Sequence, residues 1–355
     1  MVKRERIDET TIMRGISCLA VIMVHITANP VSMLNAGSPS SILFTLLNRG
    51  SKFTTPTFLF LSGLTLFYSY EARDFSYGKF LKRRFESTLI PYFIWSTVYF
   101  MYFYFKGIYI LSPKFIAENF LLGKTSYHLY FVVTITQFYI LFGGFLYIYR
   151  KYNSHLILGS TLIINVLFLK YGAPSMVYAD RFFINYIFFF SLGCYVARNL
   201  SKVKGFIVKY KYGIVGGYMG MVLYDSYLFY QYYILQQPVS VFWVSVSWLV
   251  FSTVSIFALM YVGDTILNKG EKMQRIFKTI SKSSYYVYLM HPLFLNISDT
   301  WLIEKGIYSI TKRSLLNMFI VYTISLCLSI GYTNLKAYLK NTKNKTNQKA
   351  PIKQA

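Results

Sequence analysis

The sequence predicts an all-α fold: a polytopic integral membrane bundle of about ten transmembrane helices, with the N- and C-termini in the cytoplasm. Three observations carry that prediction. Apolar residues make up 55% of the 355 positions and charged residues 14%, a balance too apolar for an ordinary soluble domain. Ten predominantly apolar runs approach the ~20 residues a helix needs to cross a ~30 Å hydrocarbon core. With the N-terminus inside, 26 of the 37 Lys and Arg fall on inner segments and 10 on outer ones, Arg14 lying within the first run. Losing one crossing would invert every later loop and destroy that sorting.

The runs lie near 11–30, 53–70, 89–105, 129–149, 155–172, 182–198, 212–233, 240–262, 283–298 and 314–335. The first follows a basic start, as a signal peptide does, but "TANP" is a poor cleavage site and many apolar runs follow, so a retained helix is expected. Between the first two, "MLNAGSPSSILFTLLNRGSK" (33–52) holds a short amphipathic piece expected to lie along the membrane interface. The second run carries the helix-disrupting Pro56 and a close-packing Ser62-Gly63 pair. The inner loop after it contains Lys82, Arg83 and Arg84, which either attract a phosphorylated donor or simply anchor topology.

His128 stands where an outer loop enters the fourth run, and His155 starts the fifth at the inner face. Asp225 falls within the seventh, where a carboxylate can orient a histidine or pair with an arginine. His291 is mid-run in the ninth and is followed by Pro292, which deprives a carbonyl of the preceding turn of its helical donor. The chain divides into a transmembrane domain, 1–335, and a Lys-rich tail, 336–355, whose composition predicts an unstructured segment near anionic headgroups.

The net charge of +24 would suggest nucleic-acid binding in a soluble chain, but its sorting makes it topological, and no nucleic-acid partner is expected. Cys18, Cys194 and Cys327 sit in apolar runs without metal-ligand spacing, so neither a disulfide framework nor a metal site is expected.

An ionisable side chain at mid-membrane costs at least ~2.5–3.5 kcal/mol on insertion scales, so such residues are candidates for function. Arg14 and His25 are eleven positions apart in "RGISCLAVIMVHI", which in a helix is three turns plus roughly 20° and a rise of about 16 Å. They share a face. A guanidinium binds phosphate or carboxylate bidentately, and an imidazole takes a proton from a hydroxyl nucleophile. Each alone has an ordinary explanation as well: Arg14 as a snorkelling inner-face residue, His25 as a hydrogen-bonded core histidine.

From Arg14 to about residue 335 the chain resembles the membrane-bound acyltransferase-3 family. Arg14 and His25 match its Arg/Lys-x10-His, and "PTFLFLSG" (56–63) is similar to its Pro-x-Phe-(x)-Phe-x-Ser-Gly pattern. The basic stretch ending in "LIPYFIW", the "HLYFVVTITQFY" segment and "SSYYVYLMHPLFL" resemble three further family motifs in the right order. Two positions depart: Ser87 stands where the family often has Arg, and Tyr130 where it usually has Trp. The all-membrane length resembles the branch beside intercellular-adhesin polysaccharide synthesis, which implies O-succinylation of a surface glucosamine polymer.

The resemblance implies an O-acyltransferase of the bacterial cytoplasmic membrane that moves an acetyl or succinyl group from acetyl-CoA or succinyl-CoA to a hydroxyl of a cell-envelope glycan. His25 and Arg14 are then the catalytic pair, with Arg14 and Arg84 toward the acyl-CoA, and Arg83, Arg84, His128, His291, Asp225 and Ser62 as substrate-binding candidates. Membrane lipid, the acyl-CoA, the glycan and polysaccharide synthesis machinery are the implied partners. The rival reading is an exporter of a polysaccharide or lipid-linked sugar, whose path the same aromatics and polar kinks would line.

Overall fold

The structure, a computed structural model, describes residues 7–349 and is helical, with no strand among the described residues. Lys3, Arg4 and Arg6, counted in the charge sorting, lie outside the described residues. In chain order the helices are α1 (Glu9–Met33), α2 (Pro39–Gly50), α3 (Thr54–Tyr70), α4 (Tyr77–Arg84), α5 (Ile90–Phe105), α6 (Pro113–Leu121) and α7 (Tyr130–Lys151). They continue as α8 (Ser154–Leu167), α9 (Ile187–Arg198), α10 (Leu200–Lys209), α11 (Lys211–Phe229), α12 (Val241–Leu267), α13 (Glu271–Glu304) and α14 (Ile310–Lys349).

Every apolar run read from the sequence overlaps one of these helices. Five helical stretches are long and apolar enough to cross a membrane by length and composition: Glu9–Met33, Tyr130–Lys151, Ser154–Ser175, Val241–Leu267 and Ile310–Thr342. The others fall short for identifiable reasons. α3 and α5 have 17 and 16 residues, and α9 only 12. α11 and α13 are long enough, with 19 and 34 residues, but polar groups lower their hydropathy, Asp225 and Ser226 in the one and His291 and Asn296 in the other; α13 also carries a charged first third, "EKMQRIFKTISK".

The central element is α1, packed against α2, α3, α12, α13 and α14. Its small and polar Ser17, Cys18 and Thr27 are buried there, and the Tyr322 hydroxyl of α14 donates to the Leu19 carbonyl at 2.7 Å. α3 lies directly on α9, and two glycines allow it: a Cβ on Gly63 would stand 2.2 Å from the Phe190 carbonyl oxygen, and one on Gly193 2.2 Å from that of Phe60. Such backbone-to-backbone approach is how apolar helices associate when no water is expelled between them.

Two elements bear on the expectations above. α2, the amphipathic piece, packs on α1 and α11 with Ser41, Thr45, Asn48 and Arg49 buried along one stripe and Ile42 and Leu43 exposed. The stripe turns its polar groups inward because partners wait there, Asn48 Nδ2 donating to the Val24 carbonyl at 2.8 Å. The tail expected to be unstructured from 336 continues α14 as helix to Lys349, and 350–355 lie outside the described residues. Lys336 and Lys340 are exposed on it, and a helix that extends one already formed needs no new nucleus.

Candidate functional site

Three histidines from distant parts of the chain meet beside α1. His25 lies two-thirds along it, His128 sits in the turn before α7, and His291 is in the middle of α13. Their ring centres are 5.1 Å (His25–His291), 5.6 Å (His128–His291) and 6.2 Å (His25–His128) apart. His128 and His291 are buried, and the Nε2 atom of each has no hydrogen-bond partner. His25 is half-buried and touches the half-exposed ring of Tyr127 at 4.9 Å.

The outer atoms of this cluster are fixed. His128 Nδ1 meets Ser126 Oγ at 3.1 Å, and the Tyr288 hydroxyl donates to the His128 carbonyl. His291 Nδ1 meets the Val287 carbonyl at 2.9 Å. Pro292 lacks an N–H, so the carbonyl of Tyr288, four residues back, loses its helical donor. One residue on, the Tyr99 hydroxyl of α5 stands between strands of the helical ladder: it donates to the Leu289 carbonyl at 2.9 Å and accepts from the Leu293 amide at 3.0 Å.

Below the cluster is a cavity of about 540 Å³. Arg14, Arg84 and Lys282 supply its positive charge, and Ser62, Thr65, Ser87 and Ser281 are among the hydroxyls lining it. Its aromatic wall holds Phe58, Phe131, Tyr285 and Tyr288, with Tyr285 stacked on Tyr288 at an interplanar angle of 11°. Arg84 lies over the rings of Phe80 and Tyr139, each 5.4 Å from its guanidinium carbon, and its Nε is buried without a hydrogen-bond partner. Tyr288 belongs to both compartments: it lines the cavity and its ring centre is 5.1 Å from that of His128.

Of the residues the sequence singled out, Arg14, Arg84 and Ser62 line the cavity, and His25, His128 and His291 form the cluster. Arg83, one position from Arg84 but turned away, is exposed and does not line the cavity. Asp225 is elsewhere too. Its Oδ2 accepts from both Arg49 Nε at 2.8 Å and Arg49 Nη2 at 2.7 Å, a buried ion pair between α2 and α11. His155, at the start of α8, is exposed and meets only the Tyr195 hydroxyl, at 3.3 Å.

Sequence reasoning missed Tyr288, Tyr127, Tyr99, Lys282 and the Arg49 partner of Asp225. Tyr288 had a signal, since it stands three residues before His291 and therefore on the same helix face. The rest depend on packing alone. Among the described residues, no group of three or more His, Cys, Asp or Glu is placed to hold a metal ion. The arrangement can hold an anion at the basic mouth, donate hydrogen bonds along the cavity, and move a proton among imidazoles.

A bundle of apolar helices enclosing such a cavity defines a multi-pass membrane protein with an internal binding site. The chain belongs to the acyltransferase-3 family, whose acyltransferase domain matches residues 7–333. Its relatives include a probable poly-beta-1,6-N-acetyl-D-glucosamine export protein of Staphylococcus aureus strain Mu50, 25% identical over 350 residues that cover 93% of each chain. A protein of the same name from Staphylococcus epidermidis is 23% identical over 348 residues, covering 93% of this chain and 92% of the relative. No solved structure matches the chain.

Proposed function

We propose that the protein is an O-acyltransferase of the bacterial cytoplasmic membrane, which transfers an acetyl or succinyl group from acyl-CoA to a hydroxyl of a cell-envelope glycan of the poly-N-acetylglucosamine kind. The chain crosses ten times, with both termini in the cytoplasm, and works beside polysaccharide synthesis machinery. The single observation behind this reading is the division of one face of α1: Arg14 lines the basic cavity and His25 stands in the histidine cluster, with Tyr288 between the two compartments. An acyl-CoA is made in the cytoplasm and carries phosphates, and Arg14, Arg84 and Lys282 offer it charge on the inner side. The acceptor comes past Tyr127 from the other side, its hydroxyl losing a proton to His25, a role commonly worth ~10²–10⁴ in rate.

The hydroxyl oxygen attacks the thioester carbonyl, the carbon–sulfur bond breaks, and the proton held on His25 passes to the departing thiolate. A second reading, export of the glycan, is favoured by the names of the relatives. One experiment separates them. Base-labile esters on envelope glycans are measured by mass spectrometry in cells lacking the protein and in cells restored with the native chain or His25→Ala. Esters that return with the native chain alone, at constant glycan quantity, support acyl transfer. Surface glycan that rises and falls with the protein at constant ester content supports export instead.

A further inference from the structure

A histidine base works best when its second nitrogen is held by an acceptor that fixes the ring and stabilises the imidazolium, and a carboxylate is the usual choice. Asp225, the carboxylate nearest this role by sequence, is committed to Arg49. The rings around His25 are Tyr127, His128 and His291, and the charged group that acts on it is the cationic Lys52, so none of these neighbours is acidic. The tautomer of one of these neighbours is settled by its own surroundings. A backbone carbonyl can only accept, so His291 Nδ1, 2.9 Å from the Val287 carbonyl, must carry a proton. The neutral ring then presents a bare lone pair at Nε2, and that atom is buried without a partner. His128 is different, because the Ser126 hydroxyl on its Nδ1 can donate or accept and leaves the tautomer open.

We infer that His291 is a positioning residue for His25: its Nε2 lone pair accepts the N–H on the far nitrogen of His25 and steadies the imidazolium while His25 holds the acceptor's proton. The inference rests on the acyltransferase reading above and adds the partner that reading lacks. The ring centres are 5.1 Å apart, within reach of such a bond, which tightens when substrate fills a site. Tyr99 serves the same end at one remove, since its hydroxyl bridges Leu289 and Leu293 and so fixes the turn of α13 that carries His291. The proton count is unchanged by His291, which shares the N–H of His25 without removing it.

The test uses the full-length protein in proteoliposomes, with radiolabelled acetyl-CoA and succinyl-CoA as donors and β-1,6-linked N-acetylglucosamine oligomers as acceptor. His291→Gln keeps a neutral acceptor in place of Nε2, whereas His291→Leu keeps bulk and removes it. The expected result is a kcat about 10- to 100-fold lower in His291→Leu, the scale of one hydrogen bond to a charged group, at unchanged KM for both substrates, with substantial recovery in His291→Gln. Tyr99→Phe, which keeps the ring, lowers kcat in the same direction by less. Nitrogen-15 NMR of labelled histidines reads the tautomer without turnover, and a signal for unprotonated Nε2 that vanishes in His291→Gln is expected.

Equal kcat in His291→Leu and the native chain overturns the inference, as does a His291→Gln variant no better than His291→Leu, or a protonated Nε2. His25→Ala run alongside keeps two failures apart. If it is inactive while His291→Leu keeps the native kcat, only the positioning role falls; if it too is fully active, the acyltransferase assignment of His25 falls with it.

Discussion

Breaking the Arg49–Asp225 pair should have unequal consequences depending on which partner is removed. Both short contacts go to a single oxygen, Oδ2, with the side chains 7% and 1% exposed, and Asp225 Oδ1 is buried without a partner. Arg49 has a second support, the ring of Phe229 with its centre 4.5 Å from the guanidinium carbon. Removing one member of a buried pair typically costs about 3–5 kcal/mol because the other charge is stranded. A cation over a desolvated ring retains about 2 kcal/mol, so Asp225→Leu belongs at the low end of that range. Arg49→Leu strips the carboxylate of the charge that balances it, with only the Ser247 hydroxyl beside it, and belongs at the high end. The double variant Arg49→Leu/Asp225→Leu should fall near native stability or above it, since apolar replacement of a buried pair is often neutral to stabilising by about 1–4 kcal/mol. The assay is a double-mutant cycle of unfolding free energies in detergent micelles. Single variants as stable as the native chain, or a double variant as unstable as the sum of the two, would refute the reasoning.

Other perturbations follow from the same geometry. Gly63→Leu and Gly193→Ala place atoms on a facing backbone carbonyl and should cut the yield of monodisperse protein sharply, while Gly213→Ala, with open space around its Cβ, should leave it unchanged; size-exclusion chromatography in detergent reads both. Under the proposed function, Arg84→Ala should raise the KM for acyl-CoA several-fold with little change for the acceptor, and Arg83→Ala should change neither, as steady-state kinetics would show. At α6 and the turn after it, the hydrogen bond from Lys124 to Glu118 at 2.6 Å lowers the pKa of that carboxyl below its ordinary 4.5. A lowered folded-state value stabilises above the ordinary one and is lost as pH falls through it, so limited proteolysis near α6 should quicken only in acid below about that range, and Lys124→Met should abolish the pH dependence.

Helical periodicity made half of the candidate site legible. Arg14 and His25 occupy one element, so their common face follows from spacing alone. That His128 and His291 join His25 does not, because it requires α13 and the turn before α7 to pack on the same stretch of α1. The motif order announced that both were worth watching but carried no distance. Asp225 was legible as a functional or paired carboxylate, yet its partner lies in α2, whose inward polar stripe becomes visible only in the packed structure. The helices themselves were located well because apolar runs mark them. Their ends were not: α13 begins twelve residues before the apolar run at 283, since charged residues lengthen a helix without adding hydropathy.

Tyr288 stands between the cavity and the histidines, with 7% of its surface exposed. Any bundle that reaches both faces of an energised membrane risks short-circuiting it, and each elementary charge crossing 100 mV dissipates about 2.3 kcal/mol. Under the proposed function, the phenol ring seated between Phe131 and His128 would act as a gasket against that leak. Replacing it with a small side chain should then raise the ion conductance of proteoliposomes, and an unchanged conductance would refute that role.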